Sequence, residues 1–198
     1  MFLLNNFQIV KELAKDISKP RYASELAKLL KLNQKSVSNA LHDLEKEGLL
    51  KSKFQGKNKL FFFNWAAKER IKAALALIEA EKRRLLLSDM KFYIIISELN
   101  EAIDGQYLVF GSYAKGYASE KSDLDILVVG AFNNNVVEKI ERIYRIEINI
   151  QKFSEKDFKI SGKTGNILIK EVMLGHVVIR GIDFFVDAFT SWNQPSGA

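Results

Sequence analysis

The 198-residue chain contains no cysteine, two prolines and two histidines. Without cysteine there are no disulfides, thiolate zinc sites, iron–sulfur clusters or cysteine nucleophiles, and a cytoplasmic address is the default expectation. His176 has no second histidine close by in the sequence, so it reads as a structural residue rather than a metal ligand. Long apolar runs are missing too. Stretches such as Leu60 to Phe63 and Phe92 to Ile96 fall far short of the roughly 18 to 20 apolar residues that span a bilayer, which excludes a transmembrane protein. The first ten residues are mildly apolar but carry Asn5 and Asn6, with no basic segment before them and no small-residue cleavage site, so no export signal is expected. What remains is 47% hydrophobic and 11% aromatic, enough to bury a core.

Charge divides the chain. Residues 1–65 hold 12 Lys and Arg against 6 Asp and Glu, whereas residues 66–198 hold 18 against 18. The whole net charge of +6 therefore lies in the first third. A basic piece joined to a neutral one implies a polyanion partner for the first and a different task for the second.

In the basic piece, Phe7, Val10, Leu13, Ala14 and Ile17 follow helical spacing, with Pro20 just beyond. A second helix is expected over Ala23 to Leu30. A third follows Asn33, a suitable N-cap, with Val37, Ala40, Leu41 and Leu44 inward before Gly48 ends it. Leu49-Leu50 and Leu60 to Phe63 then flank a polar stretch with Gly56 in its middle, the pattern of a hairpin. Three helices and a basic hairpin compose a winged helix-turn-helix. The segment Tyr22 to Phe63, with its E-L-A-K-L-L and V-S-N-A-L-H-D-L-E-K-E-G-L-L cadence, resembles the winged-helix domains of archaeal and bacterial transcriptional regulators. The resemblance implies a third helix in the major groove of double-stranded DNA and a wing on its backbone. Gln34, Lys35, Ser36, Ser38, Asn39 and His42 lie on the outward face of that helix, and Lys51, Lys53, Lys57 and Lys59 lie on the wing.

Trp65 to about Asp89 is rich in Ala, Leu, Glu, Lys and Arg and reads as one long helix. Ile71, Leu75, Ile78 and Leu85 are expected on one side, with Glu79 and Arg83 paired on the surface. Such a helix suits either a homodimer or the packing of the chain's own domains. A buried helix, Met90 to Ile103, comes next, and Asp104-Gly105 is expected to turn the chain.

The most informative stretch follows a short strand at Gln106 to Phe110: Gly111-Ser112-Tyr113-Ala114-Lys115-Gly116, then Ser122-Asp123-Leu124-Asp125. Asp123 and Asp125 are two apart on an expected strand, so their carboxylates share a face. Two such carboxylates repel unless a cation lies between them, and magnesium, shared with substrate phosphates, is the natural occupant. Gly111 and Ser112 stand where strand passes into helix, a place for a phosphate to approach. The pattern G-S-x-x-x-G-x-x-x-x-x-S-D-x-D resembles the signature of the polymerase-beta-like nucleotidyltransferase superfamily, closest to its minimal, stand-alone branch. That resemblance implies Mg2+ at Asp123 and Asp125, a nucleoside triphosphate at Gly111, Ser112, Lys115 and Ser122, and a third carboxylate on a later strand. The strand Arg145 to Gln151 offers Glu147 and Asn149 on one face. With Glu147 in the third position chemistry is retained; with Asn149 there, an anionic ligand and a base are lost.

A helix at Asn166 to Leu174, a strand at His176 to Arg180 and a helix at Asp183 to Phe189 are expected to close the chain. The expected organisation is thus α+β. It comprises a winged-helix domain (1–64), connecting helices (65–104), a nucleotidyltransferase-like mixed sheet flanked by helices (105–190) and a flexible tail (191–198). Three functions fit: a DNA-binding transferase of nucleoside monophosphates onto a hydroxyl acceptor, a regulator whose second domain senses nucleotide or dimerises, and one half of a toxin–antitoxin pair with a small helical protein partner.

Overall fold

A computed structural model describes residues 4–119 and 121–194, which divide into two compact units, residues 1–75 with 190–198 and residues 76–189. The first unit begins with α1 (Leu4–Leu13), a short 3-10 turn (Ala14–Asp16), β1 (Arg21–Tyr22), α2 (Ala23–Leu30) and α3 (Gln34–Lys46). The expected N-cap is in place: the Asn33 side chain accepts hydrogen bonds from the Lys35 and Ser36 amides, at 2.9 and 3.4 Å. Val37, Ala40, Leu41 and Leu44 of α3 are buried, together with Leu26 of α2 and Ile9, Val10 and Leu13 of α1. The wing is the antiparallel hairpin of β2 (Leu50–Gln55) and β3 (Asn58–Phe63), and β1 pairs with the other edge of β3. Phe61 and Phe63 fill its inner face.

A 3-10 turn (Trp65–Ala67) leads into α4 (Lys68–Leu86). Ile71 and Ile78 are buried as expected, but Leu85 is 48% exposed. Glu79 departs further from expectation, since it is 5% exposed and does not pair with Arg83. Its Oε1 accepts from Lys82 Nζ at 2.6 Å, and Arg83 donates instead to the Ile179 carbonyl. A spacing of four puts two residues on one helix face without saying whether that face meets solvent or protein.

The second unit continues with α5 (Met90–Ala102), β4 (Ile103–Phe110), α6 (Gly111–Lys115), β5 (Leu124–Phe132), α7 (Asn134–Tyr144), β6 (Ile148–Phe153), α8 (Glu155–Thr164), α9 (Ile167–Leu174) and β7 (His176–Arg180). The sheet order is β6-β5-β4-β7, with β5 and β6 parallel and the other pairs antiparallel. Asp104-Gly105 does not turn the chain: both residues lie inside β4, opposite Ala131 and Gly130. A Cβ on Gly105 would sit 2.4 Å from the Val129 carbonyl oxygen, so this glycine permits close pairing rather than a bend. Phe92, Ile96, Leu99, Tyr107, Val109, Ile126 and Val128 form the core of the unit with Val137 and Ile140.

Two other boundaries differ from expectation. Arg145 is the left-handed C-cap of α7 at φ 52°, so the strand expected from Arg145 starts at Ile148 and runs on to Phe153. The last helix, α10 (Ile182–Asn193), passes Phe189 and enters the expected tail, because nothing breaks a helix before Pro195. Residues 195–198 of that tail lie outside the described residues. No helix among the described residues is long and apolar enough to cross a membrane.

Candidate active site and nucleic-acid interface

Each unit carries one group of candidate residues. In the second, β4 ends at Phe110 and the chain enters α6 through Gly111, at φ 69°. The adjacent residue of β5 is Asp125, paired with Phe110 in the ladder. A Cβ built on Gly111 would lie 2.2 Å from Asp125 Oδ2, so the carboxylate rests directly on the glycine Cα. The sequence suggests glycine here to admit a phosphate; in the fold, glycine is required first to admit Asp125.

Asp123 precedes β5, which begins at Leu124. It nevertheless shares a face with Asp125 through a residue on the neighbouring strand. In the parallel register Asp125 lies opposite Asn149, whose Nδ2 is 3.5 Å from Asp123 Oδ2. Burial raises the Asp125 carboxyl, the Asn149 hydrogen bond pulls it down, and the charges of Asp123 and Glu171 push it up again against Lys115; the net direction is upward. The two carboxylates, hard oxygen donors to which the Asn149 amide donates, suit magnesium, which commonly keeps several waters and takes further oxygens from substrate phosphates. Among the described residues no group of three His, Cys, Asp or Glu is gathered to hold a metal. Glu147 is exposed just before β6 and lines a shallow depression with Glu138, Glu141, Arg142 and Arg145.

Lys115 closes α6, and its Nζ is 4.0 Å from Glu171 Oε1 on α9. Ser122 turns into its own loop, where its hydroxyl accepts from the Ser119 amide at 2.9 Å. Ser112 is half-buried in the first turn of α6. Glu171 has no counterpart among the candidates read from sequence, since a glutamate on a short, mostly apolar helix carries no signal of its own. Gly175 reads from sequence only as a helix stop.

His176 is buried beside this region. Its Nδ1 stands 2.8 Å from the Val172 carbonyl, and its Nε2 is 3.3 Å from Glu79 Oε1 without the alignment of a hydrogen bond. Burial would raise the Glu79 carboxyl, but His176 and Lys82 outweigh it and hold it at about 2. The backbone amide of Val178 also donates to Glu79 Oε2, at 3.3 Å.

In the first unit, Gln34, Lys35, Ser36 and Asn39 are exposed on α3, and Ser38 is half-buried. Lys51, Lys53 and Lys57 are exposed on the wing. Two other candidates are engaged within the fold. Lys59 Nζ donates to Glu45 Oε2 at 2.7 Å and lies over the Phe61 ring, and His42 Nδ1 is 3.5 Å from the same carboxylate. Ser52 Oγ donates to the other Glu45 oxygen. Burial would raise the Glu45 carboxyl, yet Lys59, Ser52 and His42 together keep it below its ordinary range. Glu45 thus ties the end of α3 to the root of the wing.

Comparison with known proteins agrees with this division. Residues 89–178 match the family described as "Nucleotidyltransferase domain", and residues 7–52 match "Bacterial regulatory protein, arsR family". One match thus falls on each unit, a helix-turn-helix family on the first and a nucleotidyltransferase family on the second. A protein of Methanocaldococcus jannaschii named "Putative protein adenylyltransferase" is 35% identical over 89 residues, covering 39% of this chain and 59% of that protein. The chain thus spans less than two thirds of the length of that relative. A solved structure described as a toxin-antitoxin with AMP-PNP matches 49% of this chain and 81% of its own, at 21% identity and a TM-score of 0.35.

Proposed function

We propose that the chain is a magnesium-dependent nucleotidyltransferase with its own DNA-binding domain, and that it moves a nucleoside monophosphate from a triphosphate to a hydroxyl group. The carrying observation is the convergence of Asp123, Asp125 and Asn149 beside Gly111, at the junction of β4 and α6. The named relative makes adenylate the first nucleotide to test and a protein side chain the first acceptor. In the transfer, the acceptor oxygen forms a bond to the α-phosphorus as the bond to the α,β-bridging oxygen breaks. Pyrophosphate leaves, and the acceptor proton passes to solvent. Asp123 and Asp125 would hold magnesium, which when bound stabilises the charge that develops on the phosphates. Asn149 orients both carboxylates, and Lys115 supplies positive charge beside them. On the first unit, the exposed face of α3 and Lys51, Lys53 and Lys57 would engage base edges and phosphates of duplex DNA.

The test is incubation with each α-labelled nucleoside triphosphate and magnesium, with and without cell extract, beside Asp125→Asn. Label transfer by the wild type and none by the variant is the expected result. A second reading is favoured by one observation: Asn149, not a carboxylate, stands opposite Asp125. Under it the domain senses nucleotide for a DNA-bound regulator, and the same experiment returns triphosphate binding without transfer.

A further inference from the structure

Gly175 has φ −175° and ψ 105°, extended backbone that any residue adopts, so its conformation does not call for glycine. Space does. A Cβ at this position would lie 2.6 Å from Cγ, 3.0 Å from Cε and 3.3 Å from Cδ of Lys115. The lysine stem therefore lies across the bare Cα of Gly175, and its side chain is only 26% exposed. Its ammonium group faces Glu171, one turn back on α9, at 4.0 Å. His176, the next residue, fixes the junction by its contacts to the Val172 carbonyl and Glu79. Phe110, which leads into α6, pairs with His176 in the sheet, so the junction lies directly beside the strand end that carries Gly111.

We infer that Glu171 and Gly175 form a seat for Lys115, holding its ammonium beside the paired aspartates until an incoming triphosphate draws it from Glu171. Both are positioning residues acting through Lys115, and the inference rests on the nucleotide reading above. A freely swinging lysine would lose side-chain entropy on meeting the phosphates; packing of its stem on Gly175 removes most of that loss beforehand, whereas Glu171 competes with the phosphates for the ammonium. Glu171, 51% exposed, holds Lys115 by a weak contact that a polyanion displaces.

The test is calorimetric titration of the full chain with each magnesium–nucleoside triphosphate, for wild type, Lys115→Ala, Gly175→Ala, Glu171→Gln and the two double variants with Lys115→Ala. Gly175→Ala is expected to weaken binding about tenfold, the scale of losing one charge-assisted contact. In the Lys115→Ala background it should add nothing further. Glu171→Gln is expected to tighten binding about threefold, because Lys115 no longer leaves a carboxylate, and this gain should vanish once Lys115 is gone. Being exposed, Glu171 can be changed without threatening the fold, so this arm stands if Gly175→Ala unfolds. Wild-type binding with additive double variants, or with single variants that match wild type, overturns the seat alone. No binding of any triphosphate by the wild type overturns the nucleotide reading and the seat with it.

Discussion

Asn149 stands against the paired aspartates of the second unit. Its amide meets Asp123 and Asp125 and spares them a bare like-charge contact, yet it cannot take a proton from an acceptor hydroxyl. Asn149→Asp supplies that base, and the transfer rate should rise about 10²-fold, the low end of what a positioned base contributes. The same change places three carboxylates together without a cation. The variant should therefore melt lower than wild type in the presence of a chelator and recover when magnesium is added, as differential scanning fluorimetry would report. Parity along the strand shows from sequence that Glu147 and Asn149 share a face; it does not say which one meets Asp125. That depends on the left-handed residue Arg145, which delays the strand, and a positive φ at an arginine has no sequence signal.

Elements are joined here by buried charge as well as by apolar packing. Glu79 on α4 meets His176 and the Val178 amide on β7, all within the second unit. A carboxyl held at about 2, against 4.5 when unfolded, contributes stability that is present above pH 4.5 and lost as pH falls towards 2. The lost contribution is about 3 kcal/mol. Glu79→Gln should cost about 2 kcal/mol at pH 7, because it removes the charge that accepts from Lys82 Nζ and from the Val178 amide. Urea unfolding at pH 7 and pH 3 should also show a shallower acid dependence in the variant. Two helix starts were legible in the sequence, at Asn33 and Asn166, and each of these residues caps with its own side chain. Glu79 was not, because its partner lies 97 residues away and periodicity speaks only of neighbours.

At the scale of the whole molecule, the uneven charge visible in the sequence coincides with the division into units. The exposed lysines of the wing, Lys51, Lys53 and Lys57, should make duplex binding salt-dependent. Lys53→Glu with Lys57→Glu should weaken DNA affinity and flatten the plot of log affinity against log salt by about two, near 0.9 for each lost phosphate contact. Fluorescence anisotropy across a salt series measures it, and an unchanged slope would remove the wing from the interface. Lys59 should contribute less to that slope, since Glu45 already holds it. The meeting of Gly111 and Asp125 has a consequence for heredity. One carboxylate oxygen and one absent methyl share the same space, so a library selected for transfer would keep glycine at 111 only alongside aspartate at 125, two positions inherited as a single trait. A library selected for folding alone would separate them: once residue 125 is small, alanine at 111 faces only the cost of left-handed backbone, about 1 to 2 kcal/mol.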